Sequence, residues 1–189
     1  DVGAAGASSL FTGTLGAGKG TVVDYLINKK GFKHYSVSGY LKERLIKKRL
    51  ELNRDNLQII ANQIRERYGP DYITRKLFKK EKKEKHHAII ESIRNPKEAE
   101  FIKSQKNGYL FAVDANPKTR YLRIKKRASE KDKVTFRQFK EQEKKELQSN
   151  DPNAQNLPKC ISMADFKFDN DGTIRKLYEK IEIYSPPLG

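Results

Sequence analysis

The sequence holds a single cysteine among its 189 residues, Cys160, with one methionine and no tryptophan. One thiol excludes an internal disulfide and a cysteine-built zinc cluster, and it suits a reducing, intracellular setting such as cytoplasm or an organelle matrix. No apolar run approaches the ~20 residues that a membrane-crossing helix requires. The opening DVGAAGASSL lacks the basic head and long apolar stretch of a secretory signal and is not read as one. Acidic residues are scarce beside basic ones, 24 Asp and Glu against 40 Lys and Arg, for a formal net charge of +16. That imbalance points to an acidic partner: a nucleotide, a nucleic acid or an anionic surface. A lysine-rich solvated surface would give the same count, and the run KKEKKEKHH, Lys79 to His87, reads as such a face. The chain is 36% hydrophobic, too apolar and too periodic for disorder. Its length fits one domain over residues 1–189.

Hydrophobic patterning alternates strand and helix along the chain. Short apolar segments at 8–12, 32–37, 87–93, 108–115 and 165–170 read as five strands. Residues 19–29, 39–50, 54–68, 71–85, 96–106, 117–127, 135–148 and 173–183 read as helices, and 150–158 as loop. The first strand is unusually polar for a buried parallel one. Such alternation predicts an α/β fold with a parallel five-stranded sheet and helices on both faces.

The stretch FTGTLGAGKGTVVDYL is the densest signal. Gly13, Gly16 and Gly18 precede Lys19, and Gly20 and Thr21 follow. Between a strand and a helix, G-x-x-x-x-G-K wraps backbone N–H groups around a phosphate, and the helix adds the positive end of its dipole. Lys19 is then a point charge for the outer phosphates. The glycines are expected because a side chain would keep the backbone off the anion. The residue after the lysine is Gly20 rather than Ser or Thr, so Thr21 becomes the hydroxyl assigned to phosphate and Mg²⁺.

Read as GTLGAGKGT, this loop resembles that of adenylate kinases and related nucleoside monophosphate kinases. The resemblance implies a P-loop three-layer sandwich with a small helical lid, binding ATP and Mg²⁺. Gly13, Gly16, Ala17, Gly18, Lys19, Gly20 and Thr21 would hold the nucleotide phosphates. HYSVSGYLKER, 34–44, is similar to the segment gripping the acceptor monophosphate, with Ser38, Lys42 and Arg44 as contacts, and IRERYGPDYI, 64–73, adds Arg65. In AIIESIRNPKEAEF the family's strand-terminal Asp is replaced by Glu91, a candidate Mg²⁺ ligand, and Arg94 follows as a phosphate contact. Glu91 pairing locally with Arg94 is the structural alternative. VDANPKTRYLRIKKR looks like the strand and helix leading to the lid, 128–158. There Arg120, Arg123 and Arg127 share a helix face, with Arg123 and Arg127 the leading nucleotide contacts and Arg137 a further candidate in the lid. MADFKFDNDGT resembles the last strand and loop of dephospho-CoA kinases, placing Asn170 near the donor adenine, although Asn170 also reads as a turn residue.

Phosphoryl transfer asks mainly for positioning and charge neutralisation. With Lys19, Arg94, Arg123 and Arg127 as catalytic cations, the chain reads as an ATP-dependent kinase of a nucleoside or deoxynucleoside monophosphate. No catalytic Ser, Cys or His is expected, and His34, His86 and His87 lack metal-ligand spacing. Two alternatives stay open. One is a dephospho-CoA kinase, with Asp24 as base. The other is a kinase-derived, non-catalytic subunit docked on RNA, which the net charge and the odd first strand favour mildly. The acceptor's identity and the oligomeric state are not legible.

Overall fold

The computed structural model describes residues 8–84, 86–91, 93–127, 134–146 and 155–184. The strands are β1 (Ser8–Gly13), β2 (Lys33–Tyr35), β3 (Ala88–Glu91), β4 (Gly108–Asp114) and β5 (Phe166–Asp169). The helices are α1 (Lys19–Lys30), α2 (Val37–Lys47), α3 (Arg54–Tyr68), α4 (Tyr72–Glu84), α5 (Pro96–Lys103), α6 (Pro117–Arg127), α7 (Phe136–Glu146), α8 (Leu157–Met163) and α9 (Ile174–Ile183). All strand pairs are parallel, in the order β2-β3-β1-β4-β5. This is the expected α/β P-loop kinase-like sandwich.

Side-chain alternation along the strands sorts the core into two layers. Leu10, Ile90 and Leu110 face a layer completed by Leu41 and Leu45 of α2, Ile73 and Leu77 of α4, and Ile102 of α5. Phe11, Ile89, Phe111, Val113 and Phe168 face the other layer, covered by Val22, Val23 and Leu26 of α1 and Leu177 and Ile181 of α9. Phe11 and Phe111 stack with ring centroids 5.2 Å apart.

The polar first strand is the centre of the sheet, with Ser8, Ser9 and Thr12 fully buried. Two of its hydroxyls have partners that sequence cannot show: Ser8 donates to the Glu81 carboxylate of α4, and Thr12 donates to the Ile93 carbonyl at 2.6 Å. A buried hydroxyl in a strand costs little once it is bonded. One element was not anticipated. Helix α8 begins inside the stretch read as loop, capped by Asn156, whose side chain accepts from the Lys159 N–H, with Pro158 in its first turn.

Candidate functional site

The sheet's carboxyl edge gathers the site. β1 runs into the glycine loop and then into α1, while β3 and β4 end on either side at Glu91 and Asp114. Ligands of open α/β sheets bind outside the strands' carboxyl ends, where connections leave in opposite directions. Here β1 connects to β2 on one side of itself, while β4 and β5 lie on the other.

Beside the expected approach of bare backbone to an anion, glycine is demanded in this loop by the protein itself. Gly16 and Gly18 take left-handed φ of 79° and 96°, which L side chains enter at a cost of about 1–2 kcal/mol. A Cβ at Gly13 would stand 2.5 Å from the Val113 carbonyl oxygen, and one at Gly18 would collide with the Asn170 amide. Only Gly20 opens onto free space, with nothing within 4 Å of an added Cβ.

Side chains from β4, α6 and the end of β5 brace the loop, among them Arg120, which donates to the Leu15 carbonyl at 3.4 Å. Thr14 Oγ1 donates to Asp114 Oδ1 at 2.7 Å, and the same oxygen accepts from the Ala115 N–H at 2.9 Å. Asn170 is buried and donates from Nδ2 to the Ala17 carbonyl at 2.9 Å. The Arg123 guanidinium donates to the carbonyls of Gly16 at 3.3 Å, Ala17 at 3.4 Å and Asn170 at 2.6 Å. Asn170 and Arg123 therefore grip the loop's carbonyl side. Asp114 is a member of this site that the sequence reading passed over.

α1 starts at Gly18 with no side-chain cap. Its first N–H groups and its dipole thus meet whatever occupies the loop. Lys19 is half-buried there; burial pulls its pKa down, the Glu91 charge pulls it back up and Arg94 pulls it further down. The three side chains thus share one electrostatic environment. Thr21 lies in the first turn of α1 and is half-buried. Glu91 Oε1 lies 3.4 Å from Nε2 of His34 in β2, a contact the local Glu91–Arg94 alternative did not foresee. Arg94 has an exposed side chain, but its backbone is fixed: its N–H donates to Glu98 Oε1 at 3.3 Å and its carbonyl accepts from the Asn156 N–H at 2.8 Å.

The other anticipated residues are spread more widely. Ser38 and Lys42 are exposed on α2, and Arg65 is half-buried on α3, its charge felt by Glu98. Arg44 donates to the Tyr40 hydroxyl at 3.0 and 3.2 Å and lines a cavity between α2 and α3. Arg120, expected to share a face with its neighbours, is buried and bonds the Ala115 carbonyl and Glu143 of α7, at 3.0 and 3.1 Å. Arg127 is exposed at the end of α6, and Asp24 is exposed on α1. Of the segment expected as a lid, 128–133 and 147–154 lie outside the described residues. Arg137, on α7, is exposed and pairs with Glu141 at 3.2 Å.

The AAA domain family model matches residues 10–149. A UPF0200 protein of Sulfurisphaera tokodaii is 33% identical over 172 residues, covering 91% of this chain and 92% of the relative. The chain belongs to the AAA domain and UPF0200 families. Among solved structures, an uncharacterized protein of Eubacterium ventriosum is 16% identical at a TM-score of 0.60, covering 94% of this chain and 97% of its own. A shikimate kinase from Aquifex aeolicus is 19% identical at a TM-score of 0.51, covering 93% and 94%. At these identities the likeness is one of fold, and it places this UPF0200 member on the P-loop kinase-like frame.

A magnesium ion bound with a nucleotide takes few carboxylates and several waters and phosphate oxygens. A hydroxyl at Thr21, in the first turn of α1, and a carboxylate at Glu91, at the end of β3, are donor types of the kind that demand calls for. Among the described residues no three His, Cys, Asp or Glu side chains cluster as an all-protein metal cage, and no helix is long and apolar enough to cross a membrane.

Proposed function

We propose that this chain is an ATP-dependent phosphotransferase, working as a single P-loop kinase domain in a reducing, intracellular compartment, and that its acceptor is a nucleoside or deoxynucleoside monophosphate. The observation that supports the reading is the uncapped start of α1, where a rigidly braced glycine loop and the half-buried Lys19 meet Glu91 and Arg94. In this reading the loop 13–21 and Lys19 hold the outer phosphates of ATP. Thr21 and Glu91 hold Mg²⁺, which would screen the charge between donor phosphates when bound. Arg94 neutralises the acceptor phosphate, with Ser38, Lys42 and Arg65 as further acceptor contacts and Arg127 approaching from α6.

Three roles differ from the initial expectation. Arg123 is a positioning residue, because its guanidinium is already engaged by three carbonyls behind the loop. Asn170 does the same from β5's end. Arg44 is set aside as an acceptor contact because it turns to Tyr40. No general base is required, since the acceptor phosphate is already an anion and the work left to the protein is alignment and charge.

A coupled ADP-release screen across the common monophosphates and dephospho-CoA tests the proposal. One or a few monophosphates should stimulate turnover. Lys19→Ala should abolish turnover and ATP binding together. Normal turnover in that variant, or stimulation by dephospho-CoA alone, would overturn the reading.

A further inference from the structure

Three recesses beside α4 adjoin through shared lining residues. The first, about 230 Å³, lies between α2 and α3 and carries Arg44, Lys48 and Arg67. Tyr72 lines it and also lines the second, about 220 Å³, which carries Arg75, Lys76 and Lys79. Lys76 in turn lines the third, about 480 Å³, which carries Lys33 and Lys80 and runs between α4 and the edge strand β2. Each recess thus has three lysines or arginines, and Glu43 is the only carboxylate among the described residues that line them. None is lined by the loop 13–21, by Glu91 or by Arg94.

Aromatic rings punctuate the same recesses, each with a cation against its face. Tyr68 and Tyr72 stack with centroids 4.5 Å apart, and Tyr68 is 51% exposed. The Arg67 guanidinium stands 5.3 Å from the Tyr68 ring and Lys76 Nζ 5.3 Å from the Tyr72 ring. Further along, Lys80 Nζ lies 5.9 Å from the ring of Tyr35, which is buried in the core, and Arg44 lies 5.3 Å from the half-buried Tyr40, so Tyr68 is the ring most open to a base. A row of cations around an exposed tyrosine and its stacked neighbour matches the two repeating parts of an unpaired polynucleotide: bases that stack on aromatic and guanidinium planes, and phosphates that displace counterions. A duplex, whose bases are already stacked on one another, would leave the rings unused.

We propose that this outer face of α2, α3, α4 and β2 is a groove for single-stranded nucleic acid, separate from the phosphate loop. The lysines of the 79–87 run that lie in it, Lys79 and Lys80, are part of a binding surface rather than of a merely solvated one. This accounts for a share of the +16 charge that a mononucleotide site does not need.

Fluorescence anisotropy with the full chain and a labelled 12-nucleotide RNA or DNA strand of mixed sequence tests it. The single strand should bind at low salt and lose at least about tenfold in affinity between 50 and 200 mM salt. The double variant K76E/K80E, at two exposed positions, should weaken binding at least about tenfold. Tyr68→Ala should weaken it about fivefold through lost stacking. The control K29E/K176E makes the same charge change at exposed positions on α1 and α9 and should stay within about twofold. Lys19→Ala should bind the strand like wild type, whatever becomes of the kinase reading. The proposal is overturned if the strand does not bind at low salt. Equal loss in the control, equally tight binding of the matching duplex, and capture by phosphatidylserine vesicles in preference to the oligonucleotide would each overturn it as well.

Discussion

Glu81 gives the sharpest test of the packing around β1. Its side chain is 2% exposed; one oxygen accepts from Ser8, and the other is buried with no hydrogen-bond partner among the described residues. Burial pushes its pKa from 4.5 up to about 7, against smaller downward pulls from the Ser8 hydroxyl and the Lys82 charge. The folded protein therefore holds this proton more tightly than the unfolded chain does. Stability is greatest where both states are protonated, below pH 4.5, and is lost as pH rises to about 7. At about 1.4 kcal/mol per pKa unit the full loss is about 3 kcal/mol, of which about 2 kcal/mol falls between pH 5.5 and 8.5. Glu81→Gln keeps an acceptor for Ser8 and removes the titration. Its own amide N–H groups add a penalty of about 1–3 kcal/mol, constant with pH. Urea unfolding of wild type and variant across this range isolates the difference, because every other titrating group cancels. The variant should gain about 2 kcal/mol relative to wild type between pH 5.5 and 8.5. Parallel stability profiles would refute the reasoning.

Two further outcomes follow from the geometry. Gly18→Ala places a Cβ at φ 96° and against the Asn170 amide, so thermal melts without nucleotide should show a loss of about 2 kcal/mol or more. Gly20→Ala, whose Cβ meets open space in a helix's first turn, should leave stability within about 0.5 kcal/mol; equal effects at the two positions would contradict the account of the loop. Cys160 is fully buried, and burial pushes its thiol up to about 12. Native protein at pH 7.5 should thus be inert to a disulfide reagent such as DTNB and react only after denaturant is added; rapid labelling of the folded chain would sink that expectation.

The architecture was largely legible because helices and strands here carry their own signals. Periodicity marks α1 and β4, and Pro96 marks the start of α5. What stayed hidden depends on residues far apart in the chain. Ser8 of β1 finds its partner in Glu81, 73 residues away, and Thr14 of the loop finds its own in Asp114, 100 residues away. α8 was read past because Asn and Pro are as much turn residues as they are helix openers; the pairing of Asn156 with Pro158 in the first turn was the available clue. Within the site, the spacing G-x-x-x-x-G-K picked out the loop by itself. It could not tell that Arg123 faces the loop's carbonyls, because a helix-face argument orders the arginines along α6 without saying what each one meets.

The Ala17–Gly18 peptide is gripped at its oxygen by both Arg123 and Asn170. A trans peptide sends its N–H the opposite way from its C=O. Pulling electron density toward a cation at one end makes the hydrogen at the other a stronger donor. A positive charge stationed behind the turn is in this way felt in front of it, through a single rigid plane. Replacing Arg123 would weaken that donor as well as loosen the turn that carries it.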